Sequence, residues 1–146
     1  MAKTVFKATA EDQDGLTMLC KVRDFEVILD EPVDLGGNDK GMNPVEALLT
    51  AIAACKAIVI KAFVGRYRIK LNSVRVEVEG VLDPDGFLGT NPEAKIGFSE
   101  ITTHYYIDAD NSPEEIAKYV EFAESNCPVK DTIVNSPVMH HDIHHM

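Results

Sequence analysis

The sequence predicts an α+β fold, and three observations carry that prediction. Stretches rich in β-branched and aromatic residues come first, one long and almost wholly apolar segment follows, and strand-like and helix-like segments then return without regular alternation. A parallel βαβ sheet would alternate the two element types throughout, so a mixed fold with antiparallel strands is expected. A length of 146 residues suits one domain able to hold a core without disulfides or structural metal. No repeat, low-complexity tract or linker divides the chain, so residues 1–146 read as a single domain.

Thr4–Thr9 and Leu16–Leu29 carry the strand signal, and the polar turn Asp12-Gln13-Asp14-Gly15 between them predicts two or three hairpin-linked strands. Gly36, Gly37 and Gly41 make Asp34–Met42 a loop. Asn43 is a good N-cap and Pro44 suits a first helical position. From Val45 to Val64 only Glu46, Thr50, Cys55, Lys56 and Lys61 interrupt the apolar run. The pattern predicts a helix of roughly 20 residues, apolar on nearly every face. Such a length suffices for a bilayer span, but Lys56 and Lys61 in its second half favour burial inside protein. One small domain rarely surrounds such a helix, so packing against a second copy, as a homodimer, is expected.

After Gly65 the period changes. Val74, Val76 and Val78 alternate with Arg75, Glu77 and Glu79, which predicts a half-buried strand. Asp83-Pro84-Asp85-Gly86 and Gly89-Thr90-Asn91-Pro92 read as turns, and Phe98–Ile107 as a further strand. Ser112-Pro113-Glu114-Glu115 is a capping box opening a helix that runs to about Ser125, with Ile116, Val120 or Tyr119, and Ala123 facing inward. Cys127-Pro128 restarts a short helix through Val134, and Val138 onward reads as a last strand.

Charge narrows the function. Twenty-four acidic against 14 basic side chains give a net charge of −10, the wrong sign for tracking a phosphate backbone or an anionic membrane. Nucleic acid and membrane are therefore excluded as expected partners. Met1–Glu11 lacks the apolar core and small-residue cleavage site of a secretory signal. Three cysteines, an odd number without a CxxC pair, fit reduced thiols in a cytoplasm.

Among residues able to carry chemistry, Cys55 lies in the middle of the long helix, where a small apolar side chain also fits by packing alone. Cys127 falls at or beside an N-cap, where free N–H groups favour an anionic sulfur. Cys20 sits in a strand beside Leu19 and reads as packing. Glu46 lies in the first helical turn, where a carboxylate is favoured. Nine residues separate it from Cys55, and at about 100° each they place the two on opposite faces, about 13 Å apart along the axis. Glu46 can join a site at Cys55 only from a second helix, which would couple activity to dimerisation. His140, Asp142 and His144 would share one strand face, and His140 with His144 one helix face, both spacings a metal can use. No GxGxxG, Walker loop, HExxH or GxSxG is present.

The order Leu35-Gly36-Gly37, Gly41-Met42-Asn43-Pro44, a long apolar helix with Ala53-Ala54-Cys55, then Asn126-Cys127-Pro128-Val129 resembles the OsmC/Ohr family, the osmotically inducible and organic hydroperoxide resistance proteins. The resemblance covers essentially the whole chain. It implies an intertwined homodimer in which the long buried central helix packs against its symmetry mate, wrapped by curved antiparallel sheets, with two sites at the interface. It also implies a cysteine-based peroxidase reducing organic hydroperoxides, with Cys55 as peroxidatic and Cys127 as resolving cysteine. A Cys55 sulfenic acid would condense with Cys127 to a disulfide that an external dithiol, of lipoyl or other type, reduces. No resident cofactor and no metal are called for. The chain departs from the better-characterised branches at two places. Their catalytic glutamate directly follows the proline of Asn-Pro, whereas here that place is Val45 and the acid is Glu46. Their arginine, from the N-terminal hairpin or the following loop, has no direct match. Arg23 is the only arginine before the long helix and Lys40 the nearest loop cation, each a substitute. Without a cation nearby, desolvation would raise the Cys55 pKa and slow it. Two readings stand beside the peroxidase: a non-catalytic small-molecule-binding or redox-sensing dimer, and metal storage through the His-rich tail.

Overall fold

In the computed structural model, which describes residues 1–146, three short strands open the chain: β1 (Thr9–Asp12), β2 (Met18–Val22) and β3 (Phe25–Leu29). They form an antiparallel sheet in sequence order. The β1–β2 register runs from Thr9 opposite Lys21 to Asp12 opposite Met18. Gly15, at φ 61°, makes the first turn, as its sequence predicts. Thr4–Ala8 does not continue β1, contrary to the sequence pattern. Continuing the register past Thr9 reaches the end of β2 within one residue, where the chain turns at Arg23 and Asp24, so β2 offers these residues no partner.

The loop after β3 is organised by one buried carboxylate. Asp30, 2% exposed, accepts hydrogen bonds from Thr17 Oγ1 at 2.7 Å and from the N–H groups of Glu31, Asn38 and Lys40. Burial alone would raise its pKa, but these donors outweigh burial and hold it below the ordinary value. A short 3-10 turn (Val33–Leu35) overlaps the start of the predicted loop. At Gly37 any Cβ would collide with the Glu31 backbone, which is why the chain passes there only as glycine.

The chain groups into two compact units, Met1–Leu48 and Leu49–Met146, and helix α1 (Pro44–Ala62) begins in the first and runs through the second. Its start is a reciprocal cap: Glu46 N–H donates to Asn43 Oδ1, and Asn43 N–H donates to Glu46 Oε1, each at 2.9 Å. Ile52, Lys56, Val59 and Ile60 form its buried stripe at helical spacing. Within one chain, other apolar residues of the helix, Leu48 and Ile58 among them, are exposed. No helix is long and apolar enough to cross a membrane.

In the second unit, β4 (Leu71–Val81) and β5 (Glu100–Ala109) form an antiparallel pair. Val74, Val76 and Val78 are half-buried and Arg75, Glu77 and Glu79 exposed, as their alternation predicts. The connection holds α2 (Pro84–Leu88) where the sequence suggests only a turn. The Asp83 side chain accepts the Asp85 N–H and Pro84 occupies the first position, so the turn signal becomes a helix start; Gly89 in the left-handed region ends it. Helix α3 (Pro113–Ser125) opens on the predicted Ser112/Glu115 capping box, and α4 (Pro128–Val134) follows. On α3 the buried residues are Tyr119 and Ala123, with Val120 beside them. The core joins Val59 and Ile60 of α1, Ile69, Tyr119 and Ala123, flanked by Val74, Tyr105 and Ile107 from the sheet. Tyr119 satisfies its buried hydroxyl by donating to the Ile60 carbonyl at 2.6 Å. The expected last strand from Val138 is absent: residues 136–146 have no regular structure and are exposed, so the shared face of His140, Asp142 and His144 does not form.

Candidate functional site

Cys55 lies three residues after Ile52 and four before Val59, so helical spacing puts it at the edge of the buried stripe of α1, half-buried. Cys127 is buried, 2% exposed, and is the N-cap of α4. The two thiols lie close enough to act on each other's ionisation, and both are free. The first turn of α4 serves both. Its Lys130 N–H donates to Cys127 Sγ at 3.4 Å, and its Val129 N–H lies near enough to Cys55 to favour the thiolate. Pro128, at the first position, has no N–H to spend. Burial pushes the Cys55 thiol up, as does the neighbouring Cys127, while the Val129 N–H and the charge of Lys56 pull it down; the net direction is up.

A polar network lies beside the thiols. Glu124 of α3 accepts from Lys56 Nζ at 2.8 Å, Lys130 Nζ at 2.7 Å and the Tyr105 hydroxyl at 2.6 Å. Lys56 Nζ also donates to Thr103 Oγ1 at 2.6 Å. The strand register supplies both hydroxyls: Tyr105 is paired with Val76 and Thr103 with Val78, on the inward face of the sheet. Burial would raise the Glu124 pKa, but hydrogen bonds from Lys130, Lys56 and Tyr105 reverse this and hold it at about 2. The Tyr105 hydroxyl is held protonated well above its ordinary range by burial and by the Glu124 carboxylate. A cavity of about 380 Å³ opens here, lined by Lys56, Glu124 and Lys130 with apolar walls that include Ile52, Ile101 and Ile133.

The structure thus brings Cys55 and Cys127 together from distant parts of the chain. Arg23 and Glu46 both belong to the Met1–Leu48 unit. Arg23 occupies the β2–β3 turn at φ 55°, its guanidinium 4.9 Å from the centre of the Phe25 ring. Glu46 caps its own helix. Cys20 is half-buried in β2 between Ala10 and Val27. No group of three or more His, Cys, Asp or Glu side chains is arranged to hold a metal ion.

Sequence reasoning missed Lys56, Glu124, Lys130, Thr103 and Tyr105 as one constellation. The available signal was Lys56, a charge four residues after Ile52 and four before Ile60 on a stripe that must be buried. Such a charge demands a partner. Its partners on α3, α4 and β5 follow only from the packing.

Two free thiols, one on α1 and one at the start of α4, thus lie together beside a charged network. A profile of the family described as OsmC-like protein matches residues 37–142, and the chain belongs to that family. It is 30% identical over 130 residues to a hydroperoxide reductase of Mycoplasma genitalium, covering 88% of this chain and 86% of the relative. Among solved structures, an OsmC-like protein from Mycoplasma pneumoniae superposes with a TM-score of 0.79 at 26% identity, covering 92% of this chain and 91% of that one. An organic hydroperoxide resistance protein from Elizabethkingia anophelis shares the fold, with a TM-score of 0.70 at 21% identity over 92% of this chain and 91% of its own.

Proposed function

We propose that this protein is a thiol-dependent peroxidase that reduces organic hydroperoxides to alcohols. The observation that carries the reading is the closeness of the free Cys55 and Cys127 thiols, near enough for each to influence the other, and the kinship with hydroperoxide reductases supports it. The Cys55 thiolate attacks the terminal peroxide oxygen, an S–O bond forms and the O–O bond breaks. The leaving alkoxide takes a proton to become the alcohol, and Cys55 is left as a sulfenic acid. The Cys127 thiol then attacks that sulfur and releases water, leaving a Cys55–Cys127 disulfide. An external dithiol, of lipoyl or similar type, is oxidised to its own disulfide as it returns both thiols. Reaction in a reducing cytoplasm suits this cycle.

A homodimer is part of the proposal. It covers the apolar residues of α1 that one chain leaves exposed and allows Glu46, which cannot reach Cys55 of its own helix, to act at the site of a second copy. Arg23 is the arginine that the family resemblance offers as a thiolate partner. The test is consumption of cumene hydroperoxide by the reduced protein with dihydrolipoamide, beside Cys55→Ser and Cys127→Ser. Loss of turnover in Cys55→Ser supports the mechanism; full turnover in that variant overturns it. A second reading, a redox-sensing or ligand-binding dimer, is favoured by the upward push on the Cys55 thiol. Absence of turnover with every dithiol, while the disulfide still forms and reduces, selects it.

A further inference from the structure

Lys56 is a buried titratable group that the cysteine cycle leaves unused. It is 5% exposed, on the apolar stripe of α1, directly after Cys55. Methionine or leucine would fill that place without the cost of desolvating an ammonium, and a buried ion pair is weak grounds for stability. Its ammonium is fixed at two points, Thr103 Oγ1 at 2.6 Å and Glu124 Oε1 at 2.8 Å. Glu124 also binds Lys130 at 2.7 Å, so two cations share one carboxylate and the cluster keeps a net positive charge. Every charged or titratable group of this cluster is accounted for: Lys56 from α1, Tyr105 from β5, Glu124 from α3, and Cys127 and Lys130 at α4. Tyr105 stays neutral, because it donates to Glu124.

We propose that Lys56 is the positioning cation of the thiol site: pinned by Thr103 and Glu124, it favours the Cys55 thiolate, and Glu124 sets how much of its charge Cys55 feels. The proposal rests on the thiol-chemistry reading above but not on peroxide as the substrate. Lys56 follows Cys55 directly on α1, its charge acts on Cys55 in the required direction, and a nearby cation lowers a thiol pKa.

The test is the rate of iodoacetamide alkylation of Cys55 against pH, in full-length reduced protein carrying Cys20→Ser and Cys127→Ser. Serine at 127 retains an N-cap, so α4 is kept. Lys56→Met shifts the alkylation midpoint upward by about one pH unit or more, about tenfold less thiolate at neutral pH. Lys56→Arg restores it. Glu124→Gln shifts the midpoint downward, because the lysine charge is no longer offset. Opposite shifts from the two partners of one ion pair are what mere loosening of the fold does not produce. Shifts in the same direction, or an unchanged midpoint in folded Lys56→Met, overturn the proposal. Should Lys56→Met not fold, Thr103→Val, which frees the ammonium at one point, and Glu124→Gln decide: midpoints that move apart uphold the proposal and identical midpoints overturn it. If the native protein alkylates as described yet consumes no hydroperoxide, the peroxidase reading falls and the role of Lys56 stands. Peroxide turnover with unmoved midpoints does the reverse.

Discussion

Glu124→Gln is the sharpest probe of how the site is held together. The native side chain joins the buried Lys56 to Lys130 and Tyr105, and is itself 28% exposed. A carboxyl moved from 4.5 to about 2 carries at most about 3 kcal/mol of folding free energy. Water at its exposed edge screens part of this, leaving about 1–2 kcal/mol. The variant also leaves the buried Lys56 ammonium without its counter-ion, a loss of about 3–5 kcal/mol where both partners are fully buried. For this half-wet pair we expect a loss of about 2 kcal/mol at pH 7. The depressed pKa fixes the pH dependence: the contribution is complete above about 4.5, is lost as the pH falls toward about 2, and is more than half gone at about pH 3. Urea unfolding followed by far-ultraviolet circular dichroism, the natural signal in a chain with no tryptophan, measures both proteins at pH 7 and pH 3. The stability gap should narrow by more than half at the lower pH. A gap that is absent at pH 7, or equal at both, refutes the reasoning.

Three further predictions follow from single contacts. Because burial pushes the Cys55 thiol up, the rate of its reaction with hydroperoxide should climb about tenfold per pH unit between pH 6 and 8; a flat single-turnover profile contradicts this. Tyr119→Phe removes the donor to the Ile60 carbonyl inside the core and should lower stability by about 1 kcal/mol, read as a drop in the urea midpoint at unchanged slope. Cys127→Ala removes the acceptor of the Lys130 N–H and should cost about 1 kcal/mol, whereas Cys127→Ser retains a cap and should cost less; equal stabilities would show that the sulfur does not serve as a cap.

Legibility differed by element for physical reasons. The capping box at Ser112 and Glu115 and the proline at 128 are local chemistry, and α3 and α4 start where those residues place them. Alternation in β4 is equally local. Thr4–Ala8 has strand-like residues but no neighbouring strand to pair with, and the tail after Val134 likewise lacks a neighbour, so propensity there went unrealised. Asp83-Pro84-Asp85-Gly86 carries signals that serve a turn and a helix start equally, and the chain took the second.

What the sequence by itself determined is most of the elements, α2 and the tail after Val134 excepted, the two cysteines as candidates for chemistry, and the Asn43 cap that begins the long helix. Each depends on residues within a turn or two of one another, or on a motif that survives in one dimension. Only the tertiary structure decided what surrounds the sulfurs. Lys56, Thr103, Tyr105, Glu124 and Lys130 come from α1, β5, α3 and the short helix after Cys127, and no local pattern links them. Their meeting follows from packing the stripe of α1 against the inward face of the sheet and α3. A charge caught on that stripe must then find its partners in three dimensions, because leaving an ammonium buried and unpaired is too costly for the fold to tolerate.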